Sequence, residues 1–224
     1  MKWLTATILG LALTSLAGSQ SETRTSQRDE VPRNILFIDN SGSLRSQLDR
    51  ELQFGKEIIW ETTRTGELAL SSFRLNRGAL VFSVNADFTD DRRKLNEQLQ
   101  SLFTTGGDTT LTDCIQSALD KLDSEDSARK VLILITDGAD RASILSKQKL
   151  IENLKKSKVK ILAIGMFDDL GQEVGFIGPD SLEKSKEFLE NIVTATKGKL
   201  VIPKKDQTAS EVVRGLFSEA GKGN

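Results

Sequence analysis

The sequence predicts an α/β domain: a doubly wound, mostly parallel sheet with one antiparallel edge strand and helices on both faces. Three observations predict it. Continuous apolar runs stand at 35–38 (ILFI), 131–135 (VLILI) and 160–167 (KILAIGMF), as in strands covered on both faces. Amphipathic helical patterns alternate with these runs, the order that builds a parallel sheet. Two further strand-like stretches, ELALSSFR and ALVFSVNA, are bridged by Leu75 to Gly78, where a glycine suits a hairpin and hence an antiparallel pair.

Taken in order, residues 1–18 read as an export signal: Lys2 is the positive start, Trp3 to Leu16 the apolar stretch, and Ser15, Ala17, Gly18 and Ser19 offer small-residue cleavage sites. The stretch falls short of the ~20 residues a spanning helix needs and contains Thr5, Thr7 and Thr14. The expectation is therefore an exported protein, periplasmic or secreted, with no stable membrane span after cleavage. No cysteine directly follows the signal, so a lipoprotein anchor is not indicated. Residues 19–32 are almost devoid of apolar side chains and read as a flexible polar lead-in.

The folded domain is expected over 33–224. After the ILFI strand, Leu44, Leu48, Leu52, Gly55 and Ile59 share one helical face. The hairpin follows, then a helix near Asp91 to Phe103. Leu111, Cys114, Ile115, Ala118, Leu119 and Leu122 mark the next helix. Helices at Ser143 to Ser157 and Leu182 to Ala195 flank the KILAIGMF strand. A short strand at Lys199 to Ile202 and a helix at Ala209 to Glu219 complete a Rossmann-like order.

Composition removes several function classes. The 224 residues carry 31 basic and 32 acidic side chains without a basic stripe, so nucleic acid is not an expected partner. Histidine is absent, which excludes His-ligated zinc, histidine acid/base catalysis and the usual serine triad. The single cysteine, Cys114, forms no intrachain disulfide and lies on an apolar helical face, as a small core residue would. Any metal must be held by oxygen.

Ligands of open parallel sheets bind at the carboxyl ends of the strands. Three polar segments fall there or open a neighbouring helix: Asp39-Asn40-Ser41-Gly42-Ser43, Gly106-Gly107-Asp108-Thr109-Thr110, and Thr136-Asp137-Gly138-Ala139-Asp140. Each alone has a structural reading. Ser41 or Ser43 could cap the first helix, Thr110 with Asp113 has capping-box spacing, and Asp137-Gly138 is a turn dipeptide. If Thr110 caps its helix, Thr109 is free to point into the cleft. Together the segments offer the carboxylates of Asp39 and Asp137 and the hydroxyls of Ser41, Ser43 and Thr109, an oxygen set suited to Mg²⁺ or Mn²⁺ with some waters retained. Helix N-termini nearby repel a cation, and the two aspartates offset that.

In order and separation the D-N-S-G-S, G-G-D-T and T-D-G segments resemble the metal-ion-dependent adhesion site of the von Willebrand factor type A domain family, over roughly Arg33 to Glu219. FLENIVTATKGKLVIP is similar to the closing part of bacterial members. The resemblance implies that Ser41, Ser43 and Thr109 contact the metal directly and that Asp39 and Asp137 act largely through water. It further implies a protein partner offering a Glu or Asp carboxylate to the ion, and a binding role rather than an enzymatic one. Asp108 stands where the family often has glycine, and Leu44 replaces the commoner methionine, a volume-conserving exchange. Asp108, Asp140 and Arg141 border the site as candidate partner contacts.

Two other readings compete. A strand ending in Asp39 also resembles haloacid-dehalogenase-like phosphohydrolases, but these need a second aspartate where Ser41 stands. The other is a type A-like scaffold that binds its partner without the metal.

Overall fold

A computed structural model describes residues 31–167 and 179–218; the expected signal and most of the lead-in lie outside them. Seven strands form one sheet: β1 (Arg33–Ile38), β2 (Glu67–Asn76), β3 (Ala79–Thr89), β4 (Asp108–Thr109), β5 (Lys130–Thr136), β6 (Lys160–Gly165) and β7 (Lys199–Val201). Their spatial order is β4-β3-β2-β1-β5-β6-β7. Every neighbouring pair is parallel except β2 and β3. The helices are α1 (Leu48–Thr62), α2 (Arg92–Gln100), α3 (Leu111–Asp123), α4 (Lys147–Lys156), α5 (Pro179–Ala195) and α6 (Ala209–Phe217), with a 3-10 turn at Gly42–Gln47 before α1.

The continuous apolar runs are explained by two separate cores. Ile35, Phe37, Leu132, Leu134, Ile161 and Ala163 pack with residues of α3, α4 and α5. Leu36, Ile38, Ile133, Ile135, Leu162 and Ile164 pack with residues of α1, α2 and α6. Successive side chains of a strand point to opposite faces, so a strand covered on both sides is apolar throughout. Each such leucine, isoleucine or phenylalanine contributes about 1.5–3 kcal/mol on burial.

Several boundaries differ from the sequence expectation. The hairpin turns on two residues, Arg77 and Gly78, both at positive φ (49° and 92°), so β2 and β3 run longer than expected. The antiparallel strand β3 is not outermost, because two-residue β4 pairs with it at Ala79 and Leu80. Helix α4 begins at Lys147 rather than Ser143, since the Asp113 carboxylate accepts the backbone N–H groups of Ile144 and Leu145 (2.9 and 2.8 Å) and holds that stretch out of the helix.

The first helix departs most. Leu48 and Leu52 are only half-buried, and the face of α1 turned to the core carries Glu51, Phe54, Gly55, Ile58, Ile59 and Thr62. Gln47, at the end of the 3-10 turn, is buried as well. Two polar side chains thus occupy the place expected for leucines. Among the described residues no helix is long and apolar enough to cross a membrane.

Candidate metal centre

β1 and β5 are adjacent parallel strands in the middle of the sheet, and both end in aspartates. The Asp39 N–H still bonds to the Ile135 carbonyl (2.9 Å), so pairing holds Asp39 at the strand end. Its carboxylate is fully buried; Oδ1 accepts the Ser41 N–H (3.1 Å) and Oδ2 the Thr136 hydroxyl (2.6 Å). Asp137 is 1% exposed, and its Oδ1 accepts the Ala139 N–H (2.8 Å). Ser41 and Ser43 hydroxyls lie 3.1 Å apart.

Thr109 reaches the same end of the sheet through loop pairing. Asn40 is the tie: its amide donates to the Phe103 carbonyl (2.9 Å) and the Thr105 hydroxyl (3.1 Å), its side-chain oxygen accepts the Phe73 N–H (2.9 Å), and its carbonyl accepts the Thr105 N–H (2.7 Å). Gly107, at φ 143°, passes so near the hairpin that a Cβ there would meet the Gly78 carbonyl at 2.9 Å. The Thr109 carbonyl then accepts N–H bonds from Arg141 and Ala142, both 2.9 Å. The segment following Asp137 therefore clamps the Thr109 loop.

The capping-box reading of Thr110 is overturned. Thr110 precedes α3 but makes no side-chain cap bond; its hydroxyl donates to the Leu80 carbonyl of β3. Asp113, the other half of the expected box, is spent on Ile144 and Leu145. Likewise Ser41 stands before the 3-10 turn without a side-chain cap bond. Both serines of the first segment and Thr109 are thus free of capping duty.

Two buried oxygens of the expected metal set have no hydrogen-bond partner among the described residues: Thr109 Oγ1 and Asp137 Oδ2. Buried polar atoms are nearly always paired, and an unpaired one costs about 1–3 kcal/mol. Burial, then repulsion from Asp137, pushes the Asp39 carboxyl up to about 7, against the pull of the Ser41 and Thr136 bonds. Burial also raises Asp137, with the Ser43 hydroxyl and Ala139 N–H partly offsetting it. A hard cation with its waters would pair the orphaned oxygens and neutralise the aspartates, so these residues fit a Mg²⁺-type ion. No three Asp, Glu or Cys side chains among the described residues are placed to hold a metal; the further oxygens at this end of the sheet are the hydroxyls of Ser41, Ser43 and Thr109.

Of the bordering residues, Asp108 and Arg141 are exposed. Asp140 has both oxygens engaged, by the Thr112 hydroxyl and by the Ser143 hydroxyl (2.7 Å), so it braces the loop. Cys114 is buried, and burial pushes its thiol up to about 12. The sequence reading missed Asn40, Gln47 and Glu51. Glu51 is wholly buried with neither carboxylate oxygen hydrogen-bonded; burial, then Asp39 and Asp137, pushes it well above the usual glutamate range.

The family model for the von Willebrand factor type A domain matches residues 34–211. No curated protein matches the chain. Solved structures of similar fold include an aerotolerance-related membrane protein from Bacteroides fragilis with multiple mutations to serines, at 12% identity and TM-score 0.63, covering 83% of this chain and 96% of that one. The conserved hypothetical protein BatB from Bacteroides thetaiotaomicron is similar at 14% identity and TM-score 0.63, over 83% and 97% of the two chains. The pilus adhesin SpaC from Lactobacillus rhamnosus GG, in an open conformation, is similar at 13% identity and TM-score 0.59, over 83% of this chain and 30% of its own.

Proposed function

The chain belongs to the von Willebrand factor type A domain family, and on that premise we propose that it is an exported adhesion or assembly module whose protein binding depends on a Mg²⁺-type ion. Ser41, Ser43 and Thr109 would hold the ion directly, with Asp39 and Asp137 acting largely through water. When bound, the ion supplies a positively charged open position for a Glu or Asp carboxylate of the partner. The observation that carries this reading is the pair of buried, unpartnered oxygens, Thr109 Oγ1 and Asp137 Oδ2, beside the fully buried Asp39.

The chain's own residues do the positioning. Thr136 and the Ser41 N–H fix the Asp39 carboxylate, while Arg141 and Ala142 fix the Thr109 loop. Phe103 (71% exposed) and Ile144 (97% exposed) stand on the loops that carry or brace the site, and they offer apolar surface to a protein partner. Export is proposed from the 1–18 segment. The phosphohydrolase alternative is disfavoured by Asp39 itself, since a nucleophile needs an accessible oxygen and both of its oxygens are bonded in a buried position.

Titration calorimetry with Mg²⁺ and Mn²⁺ tests the metal, and pull-down from the envelope fraction with magnesium or with chelator tests the partner. The expectation is binding by wild type, loss in Asp39→Ala, and capture only with magnesium. Indistinguishable titrations of wild type and Asp39→Ala would sink the metal site; equal capture in chelator would leave a scaffold that binds without it.

A further inference from the structure

Helix α1 carries a feature that the five-residue metal set does not use. Glu51 is wholly buried, and among the described residues both its carboxylate oxygens lack a hydrogen-bond partner. Gln47, one turn earlier, is 3% exposed with both amide atoms unpaired. Gln47 ends the 3-10 turn and immediately precedes α1. A buried glutamate and a buried glutamine with nothing to bond are a costly pair to retain for packing alone.

Their place along the sheet is fixed by Gly55. A Cβ on Gly55 would lie 3.3 Å from Ile38 Cδ1, so this part of α1 sits over the last residue of β1. Glu51 is one helical turn earlier, about 6 Å along the axis at ~1.5 Å per residue. That turn lies towards the 3-10 segment and the Asp39–Ser43 loop. Asp39 and Asp137 both act on the Glu51 carboxyl, raising it further than burial alone. Among the described residues no third carboxylate joins the two aspartates as a direct ligand group, which leaves water as the link from Glu51 to an ion.

Resting on the metal reading above, we propose that Glu51, backed by Gln47, is a positioning residue of the metal centre that accepts hydrogen bonds from the ion's waters on the buried side. Asp39, Asp137 and Glu51 then form a charged layer behind the neutral hydroxyls. Without the cation the three buried acids oppose one another. With it, their shared electrostatic cost is relieved and the waters pair the free oxygens.

Calorimetric titration of the purified chain with Mn²⁺, combined with thermal melts in chelator and in excess Mg²⁺, tests this on wild type, Glu51→Gln and Glu51→Asp. Partners in this outer position typically govern metal affinity by about 10–100-fold, so Glu51→Gln should bind Mn²⁺ at least about tenfold more weakly. In chelator its melting temperature should equal or exceed that of wild type, and its rise on adding Mg²⁺ should shrink. Glu51→Asp should recover part of the affinity. A packing role gives the opposite pattern: a lower melting temperature in chelator with Mn²⁺ affinity intact. That outcome, or failure of Glu51→Gln to fold, overturns the proposal and leaves the metal site standing. No Mn²⁺ binding by wild type overturns both.

Discussion

Replacing Thr109 by valine separates the work of one hydroxyl from the packing around it. The exchange keeps the branched shape and leaves the backbone carbonyl, which accepts from Arg141 and Ala142, unchanged. It removes only Oγ1, a buried oxygen without a partner. Since an unsatisfied buried hydroxyl costs about 1–3 kcal/mol, Thr109→Val in chelator should be more stable than wild type by up to that amount. A bound ion adds about 2.7 kcal/mol when present at ~100 times its dissociation constant. Wild type should gain this and the variant little of it, so the order of stability reverses wherever the variant's advantage in chelator is below about 2.7 kcal/mol. Urea unfolding in chelator and in Mg²⁺ reads both halves. A variant less stable than wild type in chelator would mean that the hydroxyl has a structural partner. An equal gain from Mg²⁺ in the two proteins would remove Thr109 from the ligand set.

In chelator, stability should fall as pH rises from about 4, the ordinary aspartate value, to about 7, where folded Asp39 titrates: across that window the folded state holds a proton that the unfolded state has released. Urea midpoints at pH 5 and 8 check the sign, and equal midpoints would contradict the burial of the site. Gly198→Ala places a Cβ 1.7 Å from the Ile161 carbonyl and should cost several kcal/mol or prevent folding, whereas Gly42→Ala meets nothing within 4 Å and should stay within about 0.5 kcal/mol; thermal melts compare them. Asp113→Ala frees the Ile144 and Leu145 N–H groups, which should cost about 1–3 kcal/mol and speed hydrogen exchange at both residues.

The sheet was legible because burial on both faces leaves a direct mark: ILFI and VLILI can be nothing but apolar when neighbouring residues enter different cores. Site residues at strand ends were visible as polar punctuation after apolar runs. Local rules failed where a distant partner decides. Thr110 has capping spacing, yet Leu80 of β3 takes its hydroxyl, and no helical pattern encodes that strand's proximity. Asp113 looked like part of the same box but holds a segment 31 residues away. Gln47 and Glu51 were missed because a polar side chain is assumed to face water. Phe54, Ile58 and Ile59 define the buried face of α1, and carrying that face back one turn reaches Glu51.

The two aspartates of the proposed site are not equivalent, and their hydrogen bonds say how. Asp39 has an N–H donor on one oxygen and a hydroxyl donor on the other, so its carboxylate is locked in place and serves chiefly as fixed charge. Asp137 has one oxygen held by Ala139 and the other without a hydrogen bond among the described residues, so its carboxylate is the more open of the two toward an incoming ion or water. Thr109 is in the same condition, with its backbone tied and its hydroxyl unspent. The free oxygens therefore come from the segments after β5 and around β4, which are clamped to each other through Arg141 and Ala142, while the β1 loop contributes the anchored charge. A ligand that draws on Thr109 and Asp137 together therefore acts on two segments already tied to each other by those two backbone hydrogen bonds.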